Sequence, residues 1–153
     1  MSIGELCNRE VVVTEPTTSA QQAAELMREH HVGDLVVVEM RGTERVPVGV
    51  ITDRDLVIEI IAQCVDPNAV TVRELMTRRV ETLRDDVGFW DALSHMRRTG
   101  VRRIPVVNAR GGLDGIFTFD DALELLAEGL DDLVKVVGGQ VARERRARPH
   151  RDV

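Results

Sequence analysis

An internal repeat is the feature that most constrains how this chain folds. Shifting the sequence by 69 positions superposes residues 5–38 on residues 74–107. Beyond a loop that is three residues longer in the first copy, the shift becomes 66. The matched pairs include Glu5 and Glu74, Leu6 and Leu75, Val11 and Val80, Ala23 and Ala92, Met27 and Met96, Val32 and Val101, Val37 and Val106, and Gly49 and Gly115. Because most matches are apolar or glycine positions, which set structure, both copies are predicted to share one fold.

Each copy carries the motif Gly-apolar-apolar-Thr-x-x-Asp, which spans Gly49–Asp55 and Gly115–Asp121. The motif joins an apolar strand to a helix start, where free N–H groups and the helix dipole favour an anion. The threonine hydroxyl can bond a phosphate, and the aspartate one turn later can accept from a ribose diol. The alternative is that both side chains only cap their helices. Two such motifs indicate a paired nucleotide sensor rather than an enzyme with one active site.

The apolar patterning predicts the order βαββα in each copy, and hence an α/β (α+β) fold. Strands are predicted at Val11–Thr14, Leu35–Met40, Val46–Thr52, Val80–Leu83, Arg102–Val107 and Leu113–Thr118. Helices are predicted to carry Ala20–Met27 and Phe89–Met96, and to begin near Asp53, Val72 and Phe119. The last helix is expected to break at Gly138 and Gly139. The predicted division is a first repeat at 1–65, a linker at 66–71, a second repeat at 72–130, and a helical extension with a basic tail at 131–153.

The bulk composition limits the classes of partner. The chain has 26 acidic and 20 basic residues, a net charge of −6, which argues against nucleic acid as a partner. Its start does not resemble a signal peptide, and its apolar runs fall short of the ~20 residues of a membrane helix. We therefore expect a cytoplasmic protein without membrane contact. Cys7 and Cys64 form no Cys-x-x-Cys pair and are expected to be mostly buried thiols.

The two repeats resemble cystathionine-β-synthase (CBS) domains over residues 1–129. The resemblance rests on the two Gly-x-x-Thr-x-x-Asp motifs and on the segment Met96–Val107. It implies a Bateman module, in which two repeats pack by their sheets about a pseudo-twofold axis. It also implies two clefts that bind adenine nucleotides, and pairing of modules into dimers.

The predicted ligand-binding residues fall into two sets, one for each motif. The second-copy set is Thr118, Asp121, Asp120, Arg102, Arg103, Val80 and Thr82. The first-copy set is Thr52, Asp55, Asp53, Val11 and Val13. The resemblance implies that the arginines hold phosphate and that the first-strand residues contact adenine. Gly33 and Asp34 stand where the second copy has Arg102 and Arg103, and an aspartate repels phosphate. We therefore expect unequal sites, the tighter one at Thr118 and Asp121.

The expected ligand is AMP, ADP or ATP, and no catalytic machinery is predicted. Nearly all of the chain belongs to the repeats, so a ligand would act on a separate, unidentified protein by shifting populations of a homodimer. One alternative is NAD or S-adenosylmethionine. Another is a ligand-free dimerisation adaptor that uses the basic tail from Arg143 on nucleic acid; a solvated tail is the simpler expectation.

The remaining features concern metal binding, the core and a possible subunit contact. The four histidines have no zinc-site spacing, so no metal is expected to be required. Trp90 is expected to cover the edge of the core, or to meet a partner subunit. Apolar stripes occur on the last helix of each repeat, at Val57, Ile61 and Cys64 and at Leu123, Ala127 and Leu130. They are expected either to pack in the core or to form a dimer interface.

Overall fold

The predicted order of elements, βαββα in each repeat, is confirmed by the computed structural model, which describes residues 1–147. The chain divides into two compact units after Thr118. The strands are β1 (Val13–Thr14), β2 (Asp34–Arg41), β3 (Glu44–Thr52), β4 (Leu83–Arg84), β5 (Arg103–Val107) and β6 (Leu113–Thr118). The helices are α1 (Ile3–Leu6), α2 (Ala20–His30), α3 (Asp53–Leu56), α4 (Val72–Leu75), α5 (Phe89–Thr99) and α6 (Phe119–Ala147).

Each repeat contributes one three-stranded sheet to the first unit, in the orders β1-β2-β3 and β4-β5-β6. The first two strands of each sheet are parallel, and the last two form an antiparallel hairpin. Gly42 and Gly111 lie in the hairpin turns with φ of 63° and 81°. Positive φ is easily adopted by glycine, which explains why the chain turns at these two positions.

The first strand of each repeat differs most from its prediction. β1 pairs with β2 only at Val13 and Thr14, although Val12 O still accepts from Val36 N at 3.2 Å. In the second repeat, pairing starts at Leu83, where the predicted strand ended. A two-residue edge strand is too short to produce the alternating pattern from which longer strands are recognised.

The core of the first repeat lies between its sheet and α2. Ala20, Ala23 and Met27 recur at helical spacing on α2 and are buried against Leu35, Val37 and Ile51 of the sheet. Burying each large aliphatic side chain contributes about 1.5–3 kcal/mol. Val72 from α4 is fully buried in the same cluster, although it belongs to the second repeat in sequence.

The short helices α1 and α4 each pack on the other repeat. From α1, Ile3 N donates to Val87 O at 2.8 Å. Just beyond that helix, Asn8 and Ile116 exchange two backbone hydrogen bonds of 2.9 Å. From α4, Val72 N donates to Thr18 O at 2.8 Å, and beyond it Thr77 N donates to Val50 O at 3.0 Å. The repeats therefore exchange the segments that lead into them.

The last helix forms the second unit and corrects one prediction. It continues through Gly138 and Gly139 to Ala147, and neither glycine has positive φ. Each glycine costs about 1 kcal/mol relative to alanine in a helix. The neighbouring helix-favouring residues outweigh this cost, so the predicted break is wrong. The basic stretch from Arg143 to Ala147 belongs to this helix, and the rest of the predicted tail lies outside the described residues.

Side-chain exposure settles several smaller predictions. Cys7 is buried as expected, but Cys64 is exposed and has a φ of 55°, so its predicted burial is wrong. Trp90 is 67% exposed and does not cover the core, whereas its neighbour Phe89 is buried. The leucines of the second stripe, Leu123 and Leu130, are 50% and 65% exposed, which excludes core packing for them. In the first stripe, Val57 and Ile61 are also exposed, on a π-helical turn that the sequence pattern did not predict.

Candidate nucleotide-binding site

The first motif forms a capping box at the start of α3. Asp55 Oδ2 accepts from Thr52 N at 2.8 Å and from Thr52 Oγ1 at 2.9 Å. Thr52 Oγ1 in turn accepts from Asp55 N at 3.3 Å. The capping alternative considered for this motif is therefore present in the structure. No hydrogen bond to Asp55 Oδ1 occurs within residues 1–147, so this oxygen keeps its capacity to accept.

The glycine of each motif lies beneath the segment that leads in from the other repeat. A Cβ on Gly49 would lie 2.6 Å from Met76 Sδ. A Cβ on Gly115 would lie 2.5 Å from Cys7 Sγ and 2.8 Å from Asn8 O. Only glycine permits these approaches without displacement. The motif glycine thus allows the exchanged segments to pass over the strand, and not only the approach of a ligand.

A cavity of about 200 Å³ joins the first motif to the second repeat. Thr52 and Val50 of β3 form one wall. The opposite wall comes from the second repeat, and its residues are Thr77, Arg79, Val80, Glu81, Val101, Arg102 and Arg103. Three arginines against one glutamate give this cavity a positive charge, and its valines supply an apolar surface.

An ion pair crosses between the repeats beside this cavity. Arg103 Nε lies 2.6 Å from Asp34 Oδ1, with side chains 38% and 18% exposed. Burial raises the pKa of Asp34 above its ordinary value; the charge of Arg103 lowers it, and that of Asp53 raises it further. Burial is the largest of these effects, so the pair is held together against a substantial desolvation cost.

The other predicted site residues lie in three places. Val80, Arg102 and Arg103 line the cavity, whereas Thr82 is half-buried and is not part of its wall. Val11 and Val13 pack against a buried cluster that contains Val36, Val38 and Ile116. Asp53 follows Thr52 directly; its N donates to Gly33 O at 2.9 Å.

The second motif is divided between the two units. Thr118 ends β6 and is paired in register with Arg103, while Asp120 and Asp121 lie in the first turn of α6. All three of these motif residues have interactions within the protein. The sequence predicts a site that combines Arg102 and Arg103 with Thr118. In the structure, the cavity lined by these two arginines also contains Thr52 of the other repeat.

Arg79, Glu81 and Thr77 were missed by sequence reasoning. They belong to the segment that leads from α4 into the second repeat, and they reach the cavity because that segment packs on the first repeat. A basic pair at Arg78 and Arg79, just before the first strand, was the available signal.

The described part of the chain shows no sign of a metal site or a membrane span. No group of three or more His, Cys, Asp or Glu side chains is placed to hold a metal there. Within the same residues, no helix combines the length and the apolar character that crossing a bilayer requires.

Comparison with known proteins assigns the fold to a family. The CBS domain family model matches residues 3–62 and 72–128. An uncharacterised protein of Methanopyrus kandleri is 38% identical over 125 residues, which are 82% of this chain and 62% of that protein. The chain thus spans less than two thirds of this relative's length.

Two solved structures with bound adenosine compounds share the fold. CBSX2 in complex with AMP is 29% identical, with a TM-score of 0.68 over 83% of this chain and 96% of that one. The CBS domain pair of MJ0100, in complex with 5′-methylthioadenosine and S-adenosyl-L-methionine, is 25% identical, with a TM-score of 0.72 over 84% and 98%. The fold and paired motifs define a tandem domain pair of the Bateman type. The chain belongs to the CBS domain family.

Proposed function

We propose that this chain is a regulatory sensor that binds an adenine nucleotide in the cavity between Thr52 and Arg103. The observation that carries the proposal is the cavity itself, which joins a motif threonine of one repeat to three arginines of the other. AMP bound to CBSX2, a relative in fold and sequence, supports this class of ligand.

The charged and hydroxyl groups suit the phosphate of the nucleotide. Arg102 and Arg103 supply guanidinium groups, which bind phosphate through paired N–H donors. The Thr52 hydroxyl can turn from Asp55 towards a phosphate oxygen. Glu81 Oε2 lies 3.0 Å from His95 Nε2, so the Glu81 carboxylate also interacts with a group other than those lining the cavity.

The remaining groups suit the nucleoside. Asp55 Oδ1 can accept from a ribose hydroxyl, since Oδ2 is already engaged by Thr52. Val50, Val80 and Val101 offer an apolar surface to adenine. A cavity of about 200 Å³ is below the ~300–1,000 Å³ of most ligand pockets. We therefore infer that binding enlarges the cavity by moving the side chains of Arg102 and Arg103. This movement breaks the ion pair between Arg103 and Asp34.

The second motif, with Thr118, Asp120 and Asp121, stays a prediction for a second site. Through one or both sites, the ligand would favour one arrangement of a homodimer and so control a separate protein in the cytoplasm. No catalysis is proposed.

A thermal-shift screen tests the proposal. The protein, freed of co-purified nucleotide, is heated with AMP, ADP, ATP, NAD, NADH or S-adenosylmethionine. A ligand at 100 times its Kd stabilises the folded state by about 2.7 kcal/mol, which raises Tm by several degrees. Arg103→Gln should reduce the shift, and Arg84→Gln, on an exposed arginine outside the cavity, should leave it unchanged. A shift that is equal in both variants, or absent with every compound, would refute binding in this cavity.

A further inference from the structure

We propose that a second, separate cavity, at the other end of the first sheet, binds a small amphipathic carboxylate. This cavity measures about 690 Å³. It is lined by the end of β1 and the loop that follows it, by the far ends of β2 and β3, and by Arg73 of α4. From Asp34, beside the nucleotide cavity, β2 runs five residues to Glu39, about 16 Å away at ~3.3 Å per residue. The two cavities are therefore distinct.

The position within the fold favours a ligand. β1 and β2 are parallel and are joined by α2, and the cavity lies beyond their carboxyl ends. In sheets with parallel strands, the crevice at these ends is where ligands commonly bind. The loop residues Thr17 and Thr18, just before α2, add two hydroxyl groups to the cavity wall.

A buried hydroxyl without a partner lies in the wall of this cavity. Thr14 is 95% buried, since its exposure is 5%, and its Oγ1 has no hydrogen-bond partner among the described residues. An unsatisfied buried hydroxyl costs free energy, so most buried hydroxyls are hydrogen-bonded. The second repeat has Leu83 at the position matching Thr14, so the repeat fold does not require a hydroxyl there. The hydroxyl oxygen has less than 1 Å² of accessible surface, so a ligand oxygen would satisfy it after a small movement of the cavity wall.

Two arginines and two glutamates line the cavity, and one of the arginines is available to an anion. Arg73 is paired with Glu39 at 3.1 Å, which neutralises both. Arg45 lines the cavity and has no ion pair within residues 1–147, so its guanidinium is available to a carboxylate. Glu15 also lines the cavity and, like Arg45, is exposed, so solvent weakens both its repulsion of a carboxylate and the attraction by Arg45. Leu26, Val38 and Met40 provide an apolar surface, which calls for an apolar body attached to the carboxylate.

Titration of ¹⁵N-labelled full-length protein, followed by amide chemical shifts, tests this inference. The probes are isovalerate and L-leucine, with isoamylamine as the control that keeps the branched apolar chain and carries an ammonium group but no carboxylate. We expect saturable shifts at the amides of Thr14, Thr17 and Arg45 with both carboxylates, and no shift at Thr52. This experiment needs no nucleotide, so its outcome is independent of the proposed nucleotide site.

Two variants and a control make the test specific. Arg45→Gln, at an exposed strand position, and Thr14→Val, a near-isosteric change, should each weaken binding at least about tenfold. Arg84→Gln, on an exposed arginine of the second repeat, should not change it. The inference is overturned if neither carboxylate binds saturably up to about 10 mM, if both variants bind as the native chain does, or if the amine binds equally well.

Discussion

Asp34 and Arg103 occupy matching positions in the two repeats, 69 residues apart, and pair with each other across the repeat boundary. Within their own sheets, Asp34 is in register with Thr52 and Arg103 with Thr118. A pseudo-twofold arrangement brings equivalent residues together, and identical charges at this position would repel. Divergence of the repeats to opposite charges removes that repulsion and also makes the two motif ends chemically unequal.

Asp34→Asn is expected to tighten nucleotide binding. The substitution removes the carboxylate that engages Arg103 and that would repel a phosphate, so less interaction is lost when the ligand binds. Partly exposed ion pairs contribute about 0.2–1 kcal/mol, which corresponds to a gain of up to about fivefold in affinity. Isothermal titration calorimetry with AMP measures the change. Asp86→Asn, which removes a surface partner of Arg84, is the matched control and should leave the affinity unaltered. Weaker binding by Asp34→Asn would contradict the inference that the ligand breaks the ion pair between Arg103 and Asp34.

The stability difference between the native chain and Asp34→Asn is expected to depend on pH. Because burial raises the pKa of Asp34 in the folded state, the folded protein holds this proton more tightly than the unfolded chain. The contribution of Asp34 to the free energy of unfolding is therefore greatest at pH values below its unfolded pKa of about 3.9. This contribution is lost as pH rises through the raised pKa of the folded state. Urea denaturation of both proteins from about pH 4 to pH 7 should show the native chain losing stability relative to Asp34→Asn. A difference that grows in favour of the native chain would mean that Arg103 outweighs burial.

Much of the fold follows from patterns that the sequence displays directly. Repetition at a fixed shift, alternating apolar positions and the paired motifs predict both βαββα units and the ends of β3 and β6 at Thr52 and Thr118. The exchange of α1 and α4 is not predictable in this way. Both segments have the same apolar pattern and suit either repeat, so only the packed structure decides which one each joins. This is why Arg79 and Glu81 were missed, and why the cavity combines residues from both copies.

The helix ends show a second limit of the sequence pattern. Gly138 and Gly139 disfavour a helix locally, but they do not end α6. At Cys64, a positive φ follows the π-helical turn and turns a thiol outward that composition predicts to be buried. In both cases the outcome depends on neighbouring turns rather than on the residue alone.

Alanine at the two motif glycines should have unequal effects on stability. At Gly115 the new Cβ meets the Asn8 carbonyl, which is fixed by two backbone hydrogen bonds to Ile116. At Gly49 it meets the side chain of Met76, which can move. Overpacking costs about 1–3 kcal/mol, so Gly115→Ala should lie near the upper value and Gly49→Ala near the lower.

Chemical denaturation measures both of these glycine variants. Gly129→Ala is the matched control, because its Cβ meets nothing within 4 Å and it lies within α6, where alanine is favoured by about 1 kcal/mol. Equal losses of stability for the Gly49 and Gly115 variants would mean that the backbone at Cys7 and Asn8 adapts to the new Cβ as readily as the Met76 side chain does.

Removal of the Thr52 hydroxyl should reduce stability even without ligand. Thr52→Val breaks the reciprocal bonds with Asp55 that cap α3, and losing such a cap costs about 1 kcal/mol. Thr52→Ser should retain most of it. Thr77→Val is the control, because Thr77 lines the same cavity but caps no helix. Urea denaturation of the ligand-free proteins compares them, and an unchanged midpoint for Thr52→Val would show that the capping box contributes nothing.

Charges introduced on the apolar face of α6 should dissociate the proposed homodimer. Six of its exposed apolar residues follow a spacing of three and four: Leu123, Leu126, Leu130, Leu133, Val137 and Val141. This spacing places them along one stripe, and such a stripe in a soluble protein favours association with a second helix.

We expect Leu130→Asp combined with Val137→Asp to yield a monomer, measured by light scattering during size-exclusion chromatography over a range of concentrations. Each new carboxylate would have to be buried without a partner for the dimer to persist, which costs more than one exposed stripe can recover. Glu128→Ala, between the apolar positions and away from the stripe, should leave the mass unchanged. A native chain that is monomeric at every concentration, or a double variant that keeps the native mass, would remove α6 as the dimer interface.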